Sequence, residues 1–179
     1  EFDDAARAAR AAAVKATDVA TVMYTSGTTG KPKGIVFTHE NIVSKRFCRA
    51  FALPHVNEGD VFLCYLPLYH TFGRYLELCG SLFWGATYVF QESPAIDALV
   101  RNFLRFEPTV FISIPKKWTE LYDEIARKVD LETAPADAVQ AACRSVVGDR
   151  LAFGLSAAGY LAPSVFRFFQ AHGVELCSG

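Results

Sequence analysis

Val22-Met-Tyr-Thr-Ser-Gly-Thr-Thr-Gly-Lys-Pro-Lys-Gly34 joins two apolar runs, Val19-Tyr24 and Gly34-Thr38, that read as strands. Gly27, Gly30 and Gly34 permit turns and a close ligand approach that a Cβ would block. Successive backbone amides in such a loop form a nest for anionic oxygens. The hydroxyls of Thr25, Ser26, Thr28 and Thr29 add donors, and Lys31 and Lys33 add positive charge. This composition suits a polyphosphate. The loop is not a Walker P-loop, which needs four residues between its first glycine and Gly-Lys and a Ser or Thr afterwards. Here Thr28 and Thr29 alone separate Gly27 from Gly30-Lys31, and Pro32 follows. Pro32 also biases the preceding residue toward extended backbone, against a helix starting there. A solvated hairpin without a ligand is the bland alternative, and the ordered run of motif residues disfavours it.

Outward from this loop, apolar runs rich in Val, Ile, Phe and Tyr alternate with helical patterns, which predicts an α/β fold with a mostly parallel sheet and flanking helices. Strands are expected near Val19-Tyr24, Gly34-Thr38, Val61-Leu66, Ala86-Phe90, Thr109-Ser113, Leu151-Ser156 and Val174-Cys177. Several are apolar almost throughout, as strands covered on both faces should be. Helices are expected near Asp3-Ala16, Glu40-Ala52, Phe72-Phe83, Pro94-Phe106, Lys116-Val129, Ala136-Val147 and Pro163-Ala171, with Pro163 in a first turn and Gly173 at a C-terminal stop. In Pro94-Phe106, Ile96, Leu99, Val100, Phe103 and Leu104 recur at helical spacing, leaving Arg101 and Arg105 opposite. Asp130-Pro135 reads as a surface loop or a weakly ordered connection.

Composition excludes several classes of function. With 51% hydrophobic and 21% charged residues, the 179-residue chain can bury a core and is not a disordered segment. A net charge of -1 lacks the cationic footprint that nucleic acid requires. The longest stretch free of Asp, Glu, Lys and Arg, Leu151-Phe166, is too short for a bilayer span and is broken by Gly154, Gly159 and Pro163. Residues 1–17 read as a helical or mobile lead-in without a signal-peptide core. Five widely spaced cysteines without a Cys-x-x-Cys pair read as reduced, mostly buried thiols in a cytoplasmic protein, and no metal site is expected. With Met23 the only methionine and Gly179 directly after an apolar segment, the chain reads as a piece of a longer protein.

Tyr24-Thr-Ser-Gly-Thr-Thr-Gly-Lys-Pro-Lys-Gly34 resembles the signature loop of the AMP-forming, adenylate-forming enzymes. Leu66-Pro-Leu-Tyr-His-Thr-Phe-Gly73 resembles that superfamily's Pro-Leu-x-His segment, which lines the carboxylate pocket. Leu155-Ser-Ala-Ala-Gly-Tyr-Leu161 resembles its Ser-Gly-Gly-Ala-Pro-Leu loop near the adenine and acyl group, with Ala157-Ala158-Gly159 in place of Gly-Gly-Ala. Ser178-Gly179 stands where a Gly-aromatic-Gly-x-Thr-Glu motif would begin. Phe72, Arg74, Glu77 and Phe111-Ile-Ser-Ile-Pro-Lys-Lys-Trp-Thr-Glu-Leu-Tyr122 resemble the long-chain fatty acyl-CoA synthetases most closely.

The resemblance implies that residues 1–179 are part of the large N-terminal, AMP-binding domain of a ligase that joins a carboxylic acid to coenzyme A through an acyl-adenylate. It implies ATP, Mg2+ and coenzyme A as substrates and partners, with the small C-terminal domain beyond this chain and peripheral membrane association of the parent left open. It assigns Thr25, Ser26, Gly27, Thr28, Thr29, Gly30 and Lys33 to the ATP phosphates, and His70, Ala157, Ala158, Gly159 and Gly179 to the acyl and adenylate pocket. No catalytic side chain is assigned within the chain, and the piece alone is expected to be inactive. An amino-acid or aryl-acid adenylation domain, or a non-catalytic nucleotide-binding module, are the alternatives. His39, His55 and His172 read as cap or surface residues, and Glu58 and Asp60 as a solvated turn.

Overall fold

The computed structural model describes residues 3–25 and 30–179. They divide into two compact units, Glu1–His55 and Val56–Gly179.

The first unit opens with α1 (Asp4–Ala13), whose first turn is capped by Asp3: its Oδ1 accepts the Ala5 and Ala6 amides at 3.0 Å. No residue of α1 is buried. Strands β1 (Val19–Thr25) and β2 (Lys33–Thr38) form an antiparallel hairpin of their own, with Met23 opposite Ile35 and Thr25 opposite Lys33. They therefore stand outside the parallel sheet that their apolar runs suggested. The physical reason is length: a parallel return needs a crossover of a dozen or more residues, and only 26–32 separate them. Val19, Val22, Tyr24, Ile35 and Val36 remain exposed, so these strands are not covered on both faces as continuous apolar runs imply. Helix α2 (His39–Ala52) starts at a capping box in which Thr38 Oγ1 accepts the Asn41 amide and Asn41 Oδ1 accepts the Thr38 amide, at 3.2 and 3.1 Å.

The second unit is a five-stranded, wholly parallel sheet in the order β4-β3-β5-β6-β7, from β3 (Val61–Cys64), β4 (Thr87–Phe90), β5 (Val110–Ser113), β6 (Phe153–Ser156) and β7 (Glu175–Ser178). Helices α3 (Cys79–Trp84), α4 (Ile96–Phe106), α5 (Pro115–Ala126), α6 (Ala136–Val147) and α7 (Pro163–Ala171) connect them. Pro115 and Pro163 occupy first-turn positions, where a missing N–H is harmless. Trp118 and Phe169 stand at the centre of the core with Phe103 and Phe111, in edge-to-face contacts with ring centroids 5.0 to 5.3 Å apart. Such pairs add roughly 0.5–1.5 kcal/mol each beyond their burial. Along α4, Leu99 and Phe103 are buried as the periodicity predicts, but Leu104 is half exposed and Asn102 is buried instead. Asn102 Nδ2 donates to Gln91 Oε1 and Glu92 Oε2, tying the helix to the end of β4.

The turn before β3 is more than solvated surface. Thr109 Oγ1 donates to Asp60 Oδ1 at 2.6 Å and accepts the Val61 amide at 2.9 Å, stapling the amino ends of β3 and β5. The expected helix Phe72-Phe83 divides into a π-helix, Phe72–Leu78, running directly into α3. Of the cysteines, Cys64 and Cys143 are buried, Cys79 and Cys177 partly so, and Cys48 is exposed, so burial of the thiols is less general than expected.

Candidate functional site

Chain order and spatial order part company between β3 and β5: after β3 the chain steps outward to β4, then returns past β3 to lay down β5. Open α/β sheets bind ligands at the carboxyl ends of strands flanking such a switch point. Here those ends carry Tyr65 and Ser113, whose hydroxyl oxygens lie 2.7 Å apart. Burial pushes the Tyr65 phenol above its ordinary value, against the Ser113 hydrogen bond. Neither residue was singled out from the sequence; a polar residue closing an apolar strand was the available signal.

Leu66-His70 leaves the carboxyl end of β3. His70 is exposed, its Nδ1 accepts the Phe72 amide at 3.3 Å, and its ring stacks on Phe72 at 5.8 Å. Gly73 lies so close beneath this segment that a Cβ there would stand 2.4 Å from the Leu66 carbonyl oxygen and 2.5 Å from that of Pro67.

Four expected residues, Ala157, Ala158, Gly159 and Gly179, lie at the ends of β6 and β7. The Ala157 amide donates to Ser113 O at 3.1 Å, and the Gly179 amide to Ser156 O at 3.0 Å. Gly159 packs over Pro115 at the start of α5. Ala158 stands at φ 65°, in the left-handed region, where the resembling loop carries glycine. Gly159, Tyr160, Leu161, Phe166, Arg167 and Ser178 line an open cleft of about 380 Å³. Arg167, on the helix Pro163–Ala171, is the cation of that cleft.

In the first unit, Thr25 and Lys33 face each other across the last register pair of the hairpin, both exposed. Gly30 has φ 76° and open space where a Cβ would stand, a backbone that fits the close approach of phosphate oxygens. Ser26, Gly27, Thr28 and Thr29 lie outside the described residues.

Glu77, in the π-helix, is completely buried. Burial raises its carboxyl from 4.5 to about 9, with the Cys64 thiol and the Leu66 backbone amide facing it and partly opposing the shift. The Cys64 thiol is itself pushed up by burial, then by the neighbouring Glu77. Among the described residues no three His, Cys, Asp or Glu side chains converge on a point suited to a metal ion. No helix among the described residues is long and apolar enough to cross a membrane.

The chain is similar to long chain acyl-CoA synthetase 4 of Arabidopsis thaliana, with 35% identity over 119 residues, 64% of this chain and 18% of that protein. It is also similar to long-chain-fatty-acid–CoA ligase 2 of Schizosaccharomyces pombe, with 38% identity over 121 residues, 64% of this chain and 17% of that protein. It thus spans less than a fifth of the length of either relative. Among solved structures, the o-succinylbenzoate coenzyme A synthetase of Bacillus subtilis, in complex with ATP and magnesium ion, superposes with a TM-score of 0.68 at 23% identity over 93% of this chain and 31% of that one, a likeness of fold. The model of the AMP-binding enzyme family matches residues 1–179, and on that match the chain belongs to this family.

Proposed function

We propose that the protein carrying this chain is an ATP-dependent ligase that activates a fatty or related carboxylic acid as its acyl-adenylate and passes the acyl group to coenzyme A. The observation that carries the reading is the family match along residues 1–179 combined with 35% and 38% identity to two long-chain relatives.

In this reaction a carboxylate oxygen attacks the α-phosphorus of ATP, the bond to the bridging oxygen of pyrophosphate breaks, and pyrophosphate leaves. The coenzyme A thiol then attacks the acyl carbonyl carbon, giving up its proton as AMP departs. Little covalent chemistry is asked of the protein; positioning and charge stabilisation supply most of the acceleration. Thr25, Ser26, Gly27, Thr28, Thr29 and Gly30 would hold the β- and γ-phosphates through backbone amides and hydroxyls, with Lys33 balancing the charge of the leaving pyrophosphate. His70 would border the carboxylate, and Ala157, Ala158, Gly159 and Gly179 would form a wall thin enough to admit the adenylate. The small side chains at these four positions are what a planar ligand passing close to backbone requires. Mg2+, when bound with ATP, supplies neutralisation of the phosphate oxygens. A cytoplasmic location, with small molecules rather than nucleic acid as partners, belongs to the same reading.

The test is carboxylate-dependent pyrophosphate release by the full-length protein, run over fatty, aryl and amino acids with coenzyme A present. Release of pyrophosphate and AMP with fatty acids, lost in Lys33→Ala, is the expected result. Release with amino or aryl acids alone would move the protein to a different substrate class, and none with any acid would overturn the reading.

A further inference from the structure

The π-helix Phe72–Leu78 grips the segment Leu66–His70 at several points. Arg74 Nε donates to Leu68 O at 2.7 Å, and the Arg74 amide donates to His70 O at 3.0 Å. Within the segment, the His70 amide donates to Pro67 O at 2.9 Å. Gly73 presses directly against the Leu66 and Pro67 carbonyls, and the Glu77 carboxyl faces the Leu66 amide. Two features make this more than an ordinary loop anchor. The segment begins at the switch point, one residue past Tyr65, and it is held by a π-helical turn, a wide and uncommon geometry concentrated at functional sites. The Arg74 guanidinium, which also lies beside the Tyr75 hydroxyl, brings a charged donor to the Leu68 carbonyl. A bond from a charged donor to a carbonyl is stronger than a neutral one and fixes direction as well as distance.

We propose that Arg74 is a positioning residue: it sets the backbone of Leu66–His70, and through it the place of the His70 ring, so that this segment receives the carboxylic acid substrate. This inference rests on the ligase reading given above. Arg74 does not touch the substrate; its effect passes through Leu68 and His70.

Full-length Arg74→Ala and Arg74→Lys proteins, compared with the unsubstituted one, test it with two readouts. The first is the KM for the carboxylic acid set against the KM for ATP in pyrophosphate release. The second is hydrogen exchange at the His70 and Phe72 amides. Loss of a charge-assisted hydrogen bond predicts a carboxylic acid KM raised about tenfold or more in Arg74→Ala with the KM for ATP unchanged, and faster local exchange. Arg74→Lys, which keeps the charge but not the planar fork, should recover part of both effects. Unchanged carboxylic acid KM in Arg74→Ala overturns the proposal. So does a parallel rise in both KM values with faster exchange throughout the protein, which would mark a general structural role. If the unsubstituted protein releases no pyrophosphate with any acid, the ligase reading fails and this proposal falls with it; if it is active and the variants match it, this proposal alone fails.

Discussion

Replacing Glu77 by Gln should remove a pH dependence of stability that the fold builds in. The carboxyl is completely buried against Cys64 and the Leu66 amide, and burial raises it from 4.5 in the free side chain to about 9 in the folded protein. A raised carboxyl binds its proton more tightly in the folded state than in the unfolded one. Its contribution is therefore fully present below pH 4.5 and is lost progressively as pH rises toward about 9. Within that window the loss is about 1.4 kcal/mol per pH unit, so between pH 6 and pH 8 Glu77 alone should withdraw about 3 kcal/mol. Glutamine has nearly the same shape and no proton to lose. The amide brings a second donor that burial leaves to be satisfied, at a penalty of roughly 1–3 kcal/mol that does not vary with pH. Urea unfolding of both proteins at pH 6, 7 and 8 separates the two effects, because the difference between their unfolding free energies should shift by about 3 kcal/mol in favour of Gln from the first pH to the last. A difference that stays constant over that range would refute the argument and would mean that water or a cation reaches Glu77.

Ala158 stands at φ 65°, a conformation that disfavours an L side chain by roughly 1–2 kcal/mol, so Ala158→Gly should leave stability unchanged or raise it by up to about 1 kcal/mol despite glycine's larger unfolded-state entropy. Ala157→Gly, at a residue without that strain, should lower it by about 1 kcal/mol in the same thermal melts. Gly154→Ala should destabilise by about 1–3 kcal/mol in chemical denaturation, because its Cβ would stand 2.6 Å from the Trp118 indole and 2.8 Å from Leu176 Cδ1. Adding Trp118→Phe to Gly154→Ala should return part of that loss; a double variant weaker than the sum of the single changes would show that the clash is not where the damage arises.

The alternation of apolar runs and helical patterns located every strand and helix of the second unit, because burial on both faces of a parallel sheet leaves a direct mark on composition. The same mark misled at β1 and β2: Val22, Ile35 and Val36 are as apolar as core-strand residues, yet they lie exposed on a hairpin whose short connection, not its hydrophobicity, decides its direction. For the proposed site, the glycine-rich loop and Leu66–His70 stand out in the sequence because glycine and proline mark backbone shape directly. Arg74 and Glu77 are legible as residues but not as a site, and the Tyr65–Ser113 pair does not stand out in the sequence at all. What they do depends on a π-helical turn and on strand order, and neither leaves a periodic trace. Arg167 was hidden for the related reason that one cation on an amphipathic helix looks like any solvated residue until the cleft beside it is known.

The staple from Asp60 to Thr109 joins positions 49 residues apart, and it closes the pair of strands on which the switch point depends. During synthesis β3 and β4 are complete before β5 exists, so β3 can pair on one edge alone while its other edge waits. Loop-closure entropy rises only logarithmically with length, so the distance itself is a small obstacle. The larger consequence is the interval in which Phe62-Leu63-Cys64 presents an unpaired apolar edge to the surroundings, the arrangement most prone to pairing with a neighbouring chain. The strand order that creates the switch point thus also sets an interval in the protein's production in which β3 is open to misassembly.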